Sequence, residues 1–170
     1  QLAQEFDPSA GTPAEVQNQF ADLAGCSPVL TDAWGEVNAQ SFSFTAEEDG
    51  EYYVYVINKA IDEVTVEYEE QSRTFENVDR GYFLEIGWLN AGEEITVHCD
   101  GNEILDARAY RFDENALGQI YEKLSKGGMT VTRWQDTRIE GSVQAAETGT
   151  MFTSIPYDEG WTVLVDGTQV

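Results

Sequence analysis

Scarcity of certain residues sets the first limits on this chain's chemistry. There is one histidine, His98, so no histidine pair can hold zinc, and in an alternating strand a lone histidine is expected to be structural or exposed. No G-x-S-x-G elbow occurs, and no glycine-rich loop precedes a helix as a phosphate cradle requires. Proline is scarce, with four residues against 15 glycines, which suits many turns without a proline-rich linker. No apolar run approaches the roughly 18 residues of a membrane span, and no signal peptide opens the chain. Basic residues are few: nine Lys and Arg face 32 Asp and Glu, for a net charge of −23. Such a surface repels phosphate backbones and anionic headgroups, which excludes nucleic acid as a partner and direct membrane insertion by this segment.

The acids themselves point to no metal. Glu47-Glu48-Asp49 and Glu67-Tyr68-Glu69-Glu70 lack the D-x-D-x-D-G pattern of a calcium loop. They read as a solvated surface suited to a cation-rich exterior. Pairs of carboxylates at glycosidase spacing arise by chance among so many acids, so they carry no catalytic assignment. No catalytic residue, cofactor or metal is assigned. The two cysteines, Cys26 and Cys99, are too far apart in sequence for a redox or zinc motif. They either close one long loop as a disulfide or remain two separate buried thiols.

What is present is a core. Hydrophobic residues make up 41% and aromatics 12% of 170 residues, enough to fold as one domain or one domain and part of another. Thr12, Pro13 and Glu15 spell a capping box, and Val16, Phe20 and Leu23 then mark an apolar helix face that Gly25 ends. Over 37–112 the pattern turns to short alternating runs, with strands expected at 41–45, 52–57, 63–68, 82–86, 95–99 and 104–112. Glu47-Glu48-Asp49-Gly50 reads as the hairpin turn between the first two. A second helix follows, capped by Asp113, with Leu117, Ile120, Tyr121 and Leu124 on one face and Lys123 and Lys126 at its end. Further strands are expected at 129–134, 138–146, 151–156 and 161–165, with turns at Tyr157-Asp158-Glu159-Gly160 and Asp166-Gly167. The fold class is mainly β, an antiparallel jelly-roll-like sandwich with two short helices and part of a second β unit. The expected divisions are a helical lead-in (1–26), the sandwich (27–112), a connecting helix (113–128) and further strands (129–170).

Large aromatics either fill such a sandwich or stand on it as a stacking platform for sugar rings. Trp34, Trp88, Trp134 and Trp161 are the candidates. Tyr157 and Trp161 flank a turn, and with Asp158 and Asp166 they form the candidate ligand-binding set.

One segment is more specific. The run Met151-Phe152-Thr153-Ser154-Ile155-Pro156-Tyr157-Asp158-Glu159-Gly160-Trp161-Thr162-Val163-Leu164-Val165-Asp166-Gly167 closely resembles a signature of the YfhO-like family of bacterial membrane proteins. Arg138-Ile139-Glu140-Gly141-Ser142-Val143 resembles the strand before that signature, and the resemblance extends loosely back to Val29. It implies the extracytoplasmic C-terminal region of a polytopic GT-C type glycosyltransferase, one that takes sugar from an undecaprenyl-phosphate carrier to glycosylate lipoteichoic acid or a related polymer. In such enzymes the catalytic acid lies near the N-terminal membrane spans, so none is carried onto this chain. The implied partners are the membrane-embedded remainder of the parent chain and an envelope glycan, and the implied role is acceptor recognition or scaffolding. Both ends read as cut from a longer chain, with further strands and a final span expected beyond the signature. The alternative is an independent carbohydrate-binding module or structural domain of a secreted protein.

The charge has a direct consequence. The screening length shrinks from about 30 Å at 0.01 M salt to about 3 Å at 1 M, so self-repulsion among the acids weakens as salt is added. Melting followed by circular dichroism is expected to shift upward by several degrees across that range, and an unchanged midpoint would show that the charge does not limit stability.

Overall fold

The structure is a computed structural model describing residues 11–68, 71–145, 151, 153, 155 and 158–170. The chain divides into two units, Gln1–Lys126 and Gly127–Val170.

In the first unit, helix α1 (Pro13–Ala24) opens with the capping box in place: Thr12 Oγ1 accepts from the Glu15 amide and the Glu15 carboxylate accepts from the Thr12 amide. Its buried residues are Ala14 and Ala21, while Val16 and Phe20 are half-buried and Leu23 is exposed. The contact face is thus rotated from the stripe that bulky residues marked, because the alanines let the helix lie close. Asn18 fixes that approach. Its Oδ1 accepts from the Val29 and Leu30 amides at 3.0 and 3.1 Å, and its Nδ2 donates to the Leu30 carbonyl at 2.8 Å.

Among the described residues nine strands follow: β1 (Leu30–Ala33), β2 (Gly35–Asn38), β3 (Ser41–Thr45), β4 (Gly50–Val56), β5 (Glu63–Tyr68), β6 (Gln71–Glu76), β7 (Leu84–Leu89), β8 (Glu94–His98) and β9 (Ala107–Phe112). They form two sheets, ordered β1-β9-β4-β7 and β2-β3-β8-β5-β6, with every pairing antiparallel. The chain passes from one sheet to the other at each step from β1 to β2, β3 to β4, β4 to β5, β6 to β7, β7 to β8 and β8 to β9. That alternation is a jelly roll. The inner faces meet in one core, including Phe42, Phe44, Tyr52, Val54, Val64, Leu84, Ile95 and Val97.

The stretch 47–50 is therefore not a hairpin turn. β3 and β4 lie in opposite sheets, and the acidic stretch is an arch between them. The reason is burial on both sides of it: Phe44 and Tyr52 are each nearly inaccessible, and their rings stack across the sandwich at 5.8 Å. Hairpin pairing would leave one of these faces in water. A second arch, from β7 to β8, clasps the first, with the Ala46 amide donating to Glu93 O at 2.9 Å and the Gly92 amide to Ala46 O at 2.8 Å. The Tyr52 hydroxyl donates to Glu48 O at 2.8 Å, so a buried phenol holds the arch from below.

Three strands escape the sequence pattern. β6 buries only Phe75, because it is the outermost strand of its sheet and the rest of its side chains meet water. β1 and β2 are four residues each and meet at Trp34, where the chain changes sheets. Helix α2 (Glu114–Leu124) is capped by Asp113, whose carboxylate accepts from the Ala116 amide at 3.0 Å. It buries Ala116 and Ile120, leaving Leu117, Tyr121 and Leu124 exposed. Its Lys123 ammonium donates to the Ala24 and Gly25 carbonyls at 3.0 and 3.2 Å, satisfying the end of α1 as well as suiting its own.

Among its described residues the second unit contains two hairpins. β10 (Thr130–Gln135) pairs with β11 (Arg138–Ser142), and β12 (Leu164–Val165) pairs with β13 (Thr168–Gln169). Asp166 and Gly167 carry φ of 49° and 80°, the left-handed pair that a two-residue hairpin turn demands. The strand expected at 151–156 is not present at Met151, Thr153 or Ile155, and its other residues lie outside the described set. The strand expected at 161–165 is reduced to Leu164–Val165.

The arch makes a quantitative expectation. Phe44→Ala removes a ring packed between sheets and is expected to cost about 3–5 kcal/mol, whereas exposed Trp88→Ala should fall within about 0.5 kcal/mol of wild type. Urea unfolding checks both, and equal costs would contradict the inter-sheet packing.

Candidate functional site

The residues singled out in the signature lie in the second unit. Tyr157 is outside the described residues. The Asp158 carboxylate accepts from the Gly160 amide at 2.7 Å, and the Asp158 carbonyl accepts from the Trp161 amide at 3.0 Å. This is an Asx-turn, with the aspartate organising backbone. Trp161 is 40% exposed beside it. Asp166 belongs to a separate turn, between β12 and β13. The structure thus brings Asp158 and Trp161 into one turn and places Asp166 in another.

The cysteines do not form the disulfide; both are free. Cys99 is buried in the core between the sheets, and Cys26 packs half-buried beside Ala21, Val29 and Ile120 where the helices meet β1. Two different hydrophobic clusters hold them, so neither is presented to the other. Burial is the main cause that pushes the Cys99 thiol up from its ordinary value, with the Asp100 and Glu103 carboxylates adding to it. His98 is half-buried in β8, across from Ser41 and Thr65, while Val97 and Cys99 beside it face the core. Among the described residues no three of His, Cys, Asp and Glu gather as a metal cage.

Two surfaces of the jelly roll remain. The first is the outer face of the β1-β9-β4-β7 sheet. Register places Trp88, Glu51, Phe112 and Leu30 in one row across it, and Glu85, Tyr53, Tyr110 and Asp32 in the next. Helix α1 covers the β1 and β9 side, where Ala14 packs on Leu30 and Tyr110. Toward β7, Phe83 meets Tyr53, Tyr55 and Tyr110 at centroid distances of 6.3, 5.7 and 5.8 Å. Two of these contacts are edge-on, so the rings largely serve one another. Burial raises the Tyr53 phenol above its ordinary value, and the Glu51 and Glu85 carboxylates raise it further. Trp88, opposite Glu51 in the register, stands 62% exposed on β7.

The second surface consists of the two lateral seams, where the sheet edges meet. Between β6 and β7, a cleft of about 180 Å³ is closed across by Arg73, whose Nη1 donates to Glu85 O at 3.2 Å and whose guanidinium lies 4.5 Å from the Phe75 ring centre. Between β1 and β2, a cleft of about 200 Å³ is lined by Trp34, Asp32 and Arg108 over a floor that includes Phe42 and Ala109. Trp34 is 74% exposed there. Sequence reasoning named Trp34 only as one of four tryptophans, because an indole between two short strands reads equally as core.

Residues 32–170 match the family model described as bacterial membrane protein YfhO. No curated protein sequence matches the chain. Among solved structures, the chain is similar to a ruminal GH26 endo-beta-1,4-mannanase at 17% identity and a TM-score of 0.30, over 65% of this chain and 23% of that one. The chain thus corresponds to less than a quarter of that protein's length, and the likeness is too slight to carry a functional argument.

The free thiols give a direct check. Iodoacetamide is expected to label Cys26 in the native chain and to reach Cys99 only after denaturation. A species linking the two cysteines, detected by mass spectrometry of the oxidised native chain, would contradict the two-cluster arrangement.

Proposed function

The chain belongs to the YfhO family of bacterial membrane proteins, and we propose that it is an extracytoplasmic part of such a protein that engages an envelope glycopolymer. On this reading the sugar transfer of a GT-C type enzyme, acting on lipoteichoic acid or a related polymer, belongs to the membrane-embedded part. Among the described residues no helix is long and apolar enough to cross a membrane, which fits a portion that stands outside the bilayer.

One observation carries the recognition role: the jelly roll displays two large exposed indoles, Trp34 and Trp88, beside carboxylates and a guanidinium. Apolar faces adjoining hydrogen-bonding groups match a sugar, which has C–H faces and a hydroxyl rim. The charge of −23 supports the same reading. It repels phosphate-rich chains, so the sugar substituents rather than the phosphates of such a polymer are what this surface accepts.

Two measurements test this. Protease added to spheroplasts of a strain making the parent protein should degrade this region without lysis; protection until lysis would place it on the wrong side. The purified chain should also sediment with isolated cell walls and be released by free oligosaccharide. A chain that stays in the supernatant at every wall concentration would remove the recognition role.

A further inference from the structure

We infer that the seam between β1 and β2 is a saccharide subsite, which takes one neutral pyranose ring between the Trp34 indole and the Asp32 and Arg108 side chains. The inference rests on the glycan-binding reading above and gives it a place and a ligand class.

The cleft follows from strand lengths. β1 stops at Ala33, opposite Ala109, whereas β9 begins two residues earlier in its own direction at Ala107. Ala107 and Arg108 therefore project past their neighbour on that side, with main-chain groups that no strand of β1 covers. The chain then swings through Trp34 into the other sheet. Gly35 makes the swing tight: a Cβ there would lie 2.4 Å from the Phe42 ring and 2.9 Å from the Ser43 carbonyl oxygen. With Gly35 pressed on Phe42, the indole before it has no inward space and stands out over the cleft, 74% exposed.

A solitary surface tryptophan needs no explanation. Here, however, it borders a shallow concavity of about 200 Å³ whose lining also includes an acceptor, Asp32, and a donor, Arg108. An apolar wall with a few convergent polar groups is the composition of a small-ligand site. The indole offers a face for the C–H side of a sugar ring, the carboxylate accepts from hydroxyls, and the guanidinium donates to them.

Charge selects against anions. The Arg108 guanidinium lies 3.8 Å from the Glu15 carboxylate, and Asp32 lines the same cleft, so two acids surround one base. A phosphate or uronate would meet net repulsion, and a neutral polyol would not. The Trp88 face lacks these features. The residue opposite Trp88 in the register, Glu51, is an acid, as is Glu85 on its own strand, and the aromatic rings of that sheet face are already engaged with one another.

The test uses the 170-residue chain and neutral hexasaccharides of glucose, galactose, mannose and N-acetylglucosamine, with inorganic phosphate and glycerol phosphate as anionic probes. Indole fluorescence and calorimetry read binding. At least one neutral sugar is expected to bind and neither anion to compete. Trp34→Ala should weaken that binding by about tenfold or more, the size of one good contact, and Arg108→Gln should weaken it severalfold. Trp88→Ala should leave it unchanged. Both tryptophans are exposed, and circular dichroism confirms that each variant folds. If a sugar binds with equal affinity to Trp34→Ala, the seam is overturned while glycan recognition stands. If Trp88→Ala alone weakens binding, the site lies on the other face. If no neutral sugar binds, this inference and the recognition role both fail.

Discussion

The stacking of Phe44 on Tyr52 between the sheets, at 5.8 Å, is the contact on which the rest of this jelly roll depends. It lies at the point where the chain leaves one sheet for the other, and it fixes which way both strands face. With Tyr52 turned inward, Glu51, Tyr53 and Tyr55 must turn outward, since side chains alternate along a strand. A slip of one residue would exchange the two sets and place an acid in the core. The neighbouring arch is held by the same contact, because Ala46, just past Phe44, exchanges backbone hydrogen bonds with Gly92 and Glu93. One aromatic pair therefore sets the register of the central strand, the closure of one end of the sandwich and the composition of its outer face.

Much of this was legible in the residues and some was not, for identifiable reasons. Alternation marked β3, β4, β5 and β8 because each buries one face. Thr12, Pro13 and Glu15 marked the start of α1, and Asp166-Gly167 marked a turn, because caps and left-handed turns depend on local chemistry alone. The partner of a strand is not local. Glu47-Glu48-Asp49-Gly50 has a hairpin's composition, yet the burial of residues on either side of it sends the strands to opposite sheets. β6 was invisible because an edge strand with one buried residue has no apolar period. Asn18 was invisible too, since nothing in a helical sequence announces that an amide side chain will bond to backbone eleven and twelve residues further along the chain.

The candidate site shows the same division. The signature drew attention to Tyr157, Asp158, Trp161 and Asp166, because its residues are specific. Specificity of sequence and concavity of structure are different properties. In the folded chain the Asp158 carboxylate is spent on its own turn, whereas the described cleft with donor, acceptor and exposed indole lies at Trp34. That cleft depends on the difference in length between β1 and β9 and on the absence of a side chain at Gly35. Neither is a pattern of residue types.

The few bases explain why the charge matters to recognition. Arg111 pairs with Glu48 at 3.1 Å, Arg133 and Arg138 both pair with Glu140, and Lys123 closes the end of α1. Lys59 donates to the Val56 carbonyl at 2.9 Å and lies over the Tyr55 ring, and Arg73 bridges the β6–β7 seam. Cations spent on structure do not form a patch that could draw in a polyanion. Among the described residues no acid is buried, and the excess of carboxylates imposes a field that discriminates before contact, since repulsion acts at about the screening length while stacking acts only at touch. A surface of this kind beside an anionic membrane or a phosphate-bearing polymer gains nothing from attraction between charges. Whatever affinity it has must come from desolvated apolar contact and hydrogen bonds to uncharged groups, which is the chemistry that an exposed indole beside one guanidinium and its neighbouring carboxylates provides.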